Sequence, residues 1–113
     1  MTRRHNMTTV REISPRDAAD LAKAGAVVVD IRETAERETG VIPGACHAPL
    51  SALAAAEIGA EAGRPVIFHC KSGGRTKANA AALEQKAGAN DVYILAGGID
   101  GWRDAGLPIE GPK

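Results

Sequence analysis

Cys70 closes the apolar run Val66-Ile67-Phe68-His69, and Lys71, Ser72, Gly73, Gly74, Arg75 and Thr76 follow it directly. This spacing suits a nucleophilic thiol. Gly73 and Gly74 let the chain turn tightly enough for successive backbone N–H groups to converge on one atom. A helix opening near Thr76 adds its positive end, and Lys71 and Arg75 add two full charges. Each contribution favours the thiolate and lowers the Cys70 pKa below the ~8.5 of a free thiol. The same donors attract a small oxyanion. The plainer reading is a structural cysteine beside a solvated turn, but such a thiol has no use for two cations and a glycine pair.

The elements needed to hold this loop are legible nearby. The β-branched run Ala26-Val27-Val28-Val29-Asp30-Ile31 and the segment Pro65 to His69 read as strands buried on both faces. Val10 to Ile13, Ala45 to Ala48 and Val92 to Leu95 are three shorter strand candidates. Ser14-Pro15-Arg16-Asp17 opens a helix that runs to about Ala24, with Ser14 as cap and Pro15 in the first turn. Ser51 is expected to cap an Ala-rich helix to about Ile58, Thr76 to Ala87 to form a longer one, and Asp100 to Ala105 a short last one. Arg32 to Gly44 reads as a loop with one helical turn. Alternating strands and helices at this spacing imply an α/β fold, a mostly parallel sheet with helices on both faces. In such sheets ligands bind at the carboxyl ends of the strands, which is where Cys70 falls.

Composition narrows the classes further. At 113 residues the chain is one domain, read as a flexible arm over residues 1–9 and a single domain over 10–113. Lys and Arg total 14 against 14 Asp and Glu, so the basic excess of a phosphate-gripping nucleic-acid binder is absent. Hydrophobic residues at 44% argue against disorder. No stretch approaches the ~18 apolar residues of a membrane span, and no apolar leader opens the chain. Cys46 and Cys70 could form a bridge on paper, but the expected compartment is the cytoplasm, where a reactive thiol is the better reading for at least one of them.

Three groups of residues resemble those of rhodanese-type sulfurtransferases, in that family's order. Cys70-Lys71-Ser72-Gly73-Gly74-Arg75 looks like its six-residue active-site loop. Asp30-Ile31-Arg32, with Glu36 or Glu38 downstream and then Gly40-Val41-Ile42-Pro43-Gly44-Ala45, resembles the upstream motif. Gly97-Gly98-Ile99-Asp100-Gly101-Trp102, then Gly106-Leu107-Pro108, resembles the C-terminal one. The resemblance spans Arg11 to Ile109. From Ile67 to Pro108 it is similar to the cytoplasmic rhodanese domain of membrane-anchored bacterial sulfurtransferases, without their hydrophobic tail. Val41 departs from the family's frequent His, at a position that is not the nucleophile.

The resemblance implies a three-layer rhodanese-like fold with a five-stranded parallel sheet. It implies that Cys70 takes the outer sulfur of thiosulfate or a similar donor and passes it to a thiol, cyanide or a protein acceptor, with no metal or organic cofactor. Lys71 and Arg75 would hold the donor's sulfonate end, Ser72, Gly73 and Gly74 would complete the loop, and the Thr76 hydroxyl would reach the sulfur. Asp30 and Arg32 would support it.

Two rivals remain. A non-catalytic rhodanese-like interaction module usually lacks the cysteine kept here. Cysteine phosphatases and arsenate reductases of this fold resemble a loop one residue longer, and the shorter loop suits one sulfur better than a tetrahedral oxyanion. Other residues read more plainly. Cys46-His47 and His69-Cys70 lack zinc-site spacing, and adjacent strand residues face opposite ways. Cys46 reads as an apolar filler, His69 as a packed histidine turned away from Cys70, and Asp30 as an acceptor for loop amides or Arg32. Trp102 reads as a core anchor, and Glu33, Glu36, Arg37 and Glu38 as a solvated charged face.

Overall fold

The computed structural model describes residues 10–59, 61 and 63–111. The N-terminal arm expected over residues 1–9 lies outside them. In chain order the elements are β1 (Arg11–Ile13), α1 (Pro15–Lys23), β2 (Val27–Asp30), β3 (Cys46–His47), β4 (Val66–His69), α2 (Gly74–Ala78), α3 (Ala80–Ala87), β5 (Val92–Leu95) and α4 (Gly98–Asp104). Two 3-10 helices, Thr34–Thr39 and Leu50–Ala55, flank β3.

The strands pair in the order β1-β5-β4-β2-β3, all parallel, as expected for alternating β and α elements. Strand β4 occupies the middle of the sheet. All four of its residues are buried, because a central parallel strand is covered on both faces. Alternate side chains sort into two cores. Val29, Val66, Phe68 and Leu83 pack on one face with Cys70. Val28, Ile67, Ile99 and Trp102 pack on the other. Trp102 is the anchor it was expected to be, and its indole N–H donates to the Pro108 carbonyl at 2.7 Å.

The local signal at the start of α1 held. The Ser14 hydroxyl accepts from the Asp17 N–H at 3.1 Å, capping α1 with Pro15 in its first turn. Three other local expectations are corrected. The helix expected over 76–87 begins two residues earlier and breaks at Asn79, giving α2 and α3. Ser51 caps nothing: its hydroxyl donates to Glu33 Oε1 at 2.6 Å, and the segment is a 3-10 helix kinked at Ala52. The loop before β3 carries six residues of 3-10 helix, capped reciprocally by the side chains of Glu33 and Glu36. Val41, where the resembling family often has His, is buried and forms an antiparallel backbone bridge with Glu110.

Candidate active site

Cys70 follows the last residue of the central strand and precedes α2, so its side chain sits where the sheet ends and a helix begins. The residue is only 1% exposed. Gly73 is the turn that makes the loop close, with φ at +101°, in the left-handed region that side-chain-bearing residues avoid. Its N–H donates to Cys70 Sγ at 3.1 Å. The backbone N–H groups of Thr76 and Arg75 also point at the sulfur. Gly74 does not share this strain. It is the first residue of α2 with a negative φ and open space around it, so only one of the two glycines was needed for the turn.

Burial pushes the Cys70 thiol up, but the N–H groups of Thr76 and Gly73, the Thr76 hydroxyl and the Arg75 N–H together bring it below its ordinary value. The expected direction is met through the expected amides, while the two loop cations are engaged elsewhere. Lys71 is exposed and its ammonium pairs with Asp100 at 2.9 Å. Arg75 donates from both terminal nitrogens to the Glu36 carboxylate, at 2.7 Å each. The two loop cations are therefore matched by carboxylates, and the amide nest supplies the stabilisation. The Thr76 hydroxyl donates to the Gly73 carbonyl at 2.9 Å and lies 3.8 Å from Sγ. Ser72 is exposed on the loop's outer side.

Asp30 and Arg32 form the floor beside the loop. Both are buried, and the guanidinium of Arg32 grips the Asp30 carboxylate through Nε at 3.0 Å and Nη2 at 2.9 Å. The Arg32 backbone N–H donates to the same carboxylate at 2.9 Å. Burial pushes the Asp30 carboxyl up, and these bonds outweigh it and hold it below the usual value. Arg32 reaches on to the carbonyls of Glu36 and Gly40, at 3.2 and 2.8 Å, which ties down the 3-10 helix after β2. His69 is fully buried and kept neutral chiefly by that burial. Its Nδ1 donates to the Cys70 carbonyl at 3.0 Å, so the ring serves the backbone rather than the thiol.

In the charged segment after Arg32, Glu38 is exposed as expected, but Glu33, Glu36 and Arg37 are held in contacts. Glu36 holds Arg75, Glu33 accepts from Ser51, and Arg37 Nε lies 3.5 Å from Asp30. The pairing pulls the Glu36 carboxyl down to about 2, first through the Arg75 hydrogen bond. Glu36 is the site residue that the charge pattern alone missed. Its place downstream of Asp30-Ile31-Arg32 was the signal.

Helix α4 completes the frame. Its Ile99 and Asp100 N–H groups donate to the carbonyls of Cys70 and Lys71, both at 3.0 Å. With those carbonyls held by α4, the amides that follow are left to face Sγ. This approach requires glycine at 98: a Cβ there would meet the Lys71 carbonyl and lie 2.6 Å from that of Cys70, at a φ of +60°. Gly98→Ala is expected to cost about 2–4 kcal/mol and to slow Cys70 alkylation. Gly88→Ala, at a φ of +69° in open space, is the control that carries the backbone strain without the clash. Equal losses in both variants, with unchanged Cys70 reactivity, would show that α4 does not shape the loop.

Cys46 is half-buried, with Sγ at 3.5 Å from the Ile58 carbonyl, and burial pushes its thiol up. His47 donates from Nε2 to the Arg32 carbonyl at 2.7 Å. A family model described as a rhodanese-like domain matches residues 14–105. The chain belongs to the rhodanese-like domain family. Among rhodanese relatives, thiosulfate sulfurtransferase GlpE of Pseudomonas fluorescens is 38% identical over 97 residues, covering 86% of this chain and 88% of its own. The protein of the same name from Haemophilus influenzae is 32% identical over 100 residues, covering 88% and 94%. A rhodanese-related crystal structure from Thermoplasma volcanium superposes with a TM-score of 0.75 at 28% identity, covering 88% of this chain and 96% of that one. A Rhodopseudomonas palustris structure described as a possible tyrosine phosphatase has a TM-score of 0.73 at 29% identity, covering 97% and 99%. No helix among the described residues is long and apolar enough to cross a membrane.

Proposed function

We propose that this chain moves sulfane sulfur from thiosulfate or a similar donor to a thiol, cyanide or protein acceptor through a persulfide on Cys70. The chain is a rhodanese-type transferase by its family and its curated relatives. The observation that carries the finer reading is the nest of Gly73, Arg75 and Thr76 amides closed around a single sulfur atom.

The Cys70 thiolate attacks the outer sulfur of thiosulfate. A bond forms between the two sulfurs, the donor's S–S bond breaks, and its electron pair leaves on sulfite. The outer sulfur of the persulfide carries the negative charge that the thiolate carried before, so the same amides serve both states. An acceptor thiolate then attacks that outer sulfur, and the electron pair of the Cys70 S–S bond returns to Cys70. Cyanide leaves as thiocyanate by the same step. Lys71, Ser72 and Gly74 form the outer rim of the loop, and Asp30 and Arg32 hold its floor.

Phosphatase or arsenate chemistry is the rival, and the Rhodopseudomonas palustris structure keeps it in view. Against it, Arg75 stands five positions after Cys70 and is occupied by Glu36, so the ring is narrow and its guanidinium engaged.

The test is the intact mass after incubation with thiosulfate. The chain is expected to gain one sulfur, on the peptide carrying Cys70, and to lose it to cyanide. No adduct, or an adduct on Cys46, would overturn the reading, as would faster turnover of an aryl phosphate than of thiosulfate. The pH dependence is a second check. Alkylation rate follows the thiolate fraction, and the Cys70 pKa is lowered, so the rate is expected to level off at lower pH than for free cysteine. A midpoint at or above ~8.5 would mean that the amides do not hold the thiolate.

A further inference from the structure

Arg75 is the cation of α2 whose charged form the Cys70 thiolate favours, and its own backbone N–H points at that sulfur. Yet both of its terminal nitrogens face the Glu36 carboxylate at 2.7 Å. The carboxylate is held in place from its own side. Its Oε1 accepts the Glu33 N–H at 3.0 Å, and its backbone carbonyl accepts Arg32 Nη1 at 3.2 Å, with Arg32 itself locked on Asp30. Glu36 therefore arrives pre-positioned, and the pair presents no net charge to a ligand. Lys71 is matched in the same way by Asp100. A cleft of about 90 Å³ beside the loop is lined by Arg32, Glu36, Lys71 and Asp100, members of these same pairs, and by Arg103, which donates to the Thr39 carbonyl.

Thiosulfate leaves behind a doubly charged sulfite, which a free cation would hold more tightly. An alkyl persulfide leaves a singly charged thiolate and depends on such a cation less. The Cys70 thiolate attacks the outer sulfur of R–S–SH, the donor's S–S bond breaks, and its electron pair leaves on R–S⁻. The proton stays on the outer sulfur as it moves to Cys70. We infer that Glu36 sets donor specificity: by neutralising Arg75 it withdraws the cation that would grip an oxyanion, and biases the site toward alkyl persulfides over thiosulfate. This rests on the sulfurtransferase reading and narrows its donor class.

The experiment compares the native chain with Glu36→Gln, Arg75→Gln and the double variant, each checked for an intact thermal transition. Donor KM is measured for thiosulfate and for cysteine persulfide, and sulfate protection of Cys70 from alkylation is measured separately. Glu36→Gln frees one positive charge facing a dianion. It is expected to lower the thiosulfate KM and strengthen sulfate protection by about 3- to 10-fold at low ionic strength, fading as salt rises. The cysteine persulfide KM is expected to move less. Arg75→Gln alone uncovers a carboxylate and raises the thiosulfate KM. The double variant removes both charges and is expected to return it to within about threefold of the native value.

An unchanged or raised thiosulfate KM in Glu36→Gln overturns the inference. So does a double variant about tenfold or more weaker than native, because Arg75 would then be reading the donor with Glu36 in place. Should Glu36→Gln fold poorly, Glu36→Ala asks the same question. If neither donor delivers sulfur to any variant, the sulfurtransferase reading fails, and sulfate protection alone still decides whether Glu36 withholds Arg75 from oxyanions.

Discussion

Cys70→Ser is expected to lower sulfur transfer on the order of 10³-fold or more while leaving the fold in place. A hydroxyl in the same nest stays protonated at neutral pH, and an oxygen nucleophile cannot form the persulfide that the second half of the reaction needs. The serine oxygen can still accept the Gly73 N–H that Cys70 Sγ now accepts, so stability should change by no more than about 1 kcal/mol. Cys46→Ala is the matched control. Cys46 is the other free thiol, half-buried and pushed up by burial, and its removal should leave the sulfur adduct intact. Transfer kinetics and intact mass on both variants decide the matter. Retention of a tenth of the native rate in Cys70→Ser would move the nucleophile elsewhere.

Arg32→Ala carries the largest expected stability effect, about 3–5 kcal/mol. Asp30 has no solvent contact, and Arg32 supplies its guanidinium bonds at 2.9 and 3.0 Å. Removing the guanidinium leaves a buried carboxylate with its backbone N–H bond and Arg37 Nε at 3.5 Å. It also frees the carbonyls of Glu36 and Gly40. The melting temperature should fall by about 10–20 °C, and a variant that also replaces Asp30 by Asn should recover part of that loss. The recovery distinguishes an orphaned charge from a lost packing contact. A drop under about 3 °C would show that Arg32 does not compensate Asp30. Because Arg32 holds the segment that carries Glu36, the same variant should also loosen the Glu36–Arg75 pair.

The pH dependence of that pair has a definite sign. The folded Glu36 carboxyl is pulled to about 2 from an ordinary 4.5. Its contribution is present above about 4.5 and is lost as pH falls toward 2. The pair is about one-third exposed, so solvent screening keeps that contribution small. Acid loss of Asp30 ionisation acts in the same direction from a buried position.

The parallel α/β frame, the buried central strand and a cysteine at its carboxyl end were legible because each depends on residues close in sequence. Val66 to His69 are apolar enough to be buried on both faces, and Ser14-Pro15 states its own helix start. Gly73 was readable for the same reason, since the turn lies within the loop it closes. One expectation that failed locally did so because a distant partner outbid a local one. Ser51 could have capped its own helix, but Glu33 lies 18 positions away in the chain and takes its hydroxyl.

The sequence by itself determined that a cysteine would stand at a strand end, in a loop whose amides converge and whose glycine permits it, in a chain of the rhodanese pattern. Only the tertiary structure decided what the loop's charges do. Glu36 and Arg75 are 39 positions apart and Lys71 and Asp100 are 29 apart, so counting cations within the loop could not reveal that each is matched. Likewise the carbonyls of Cys70 and Lys71 are held by amides of α4, and glycine is needed at 98 because those backbones touch. Hydrogen-bond geometry within a turn is set by a few consecutive dihedral angles, whereas a charge is cancelled by whichever opposite charge the fold brings within reach.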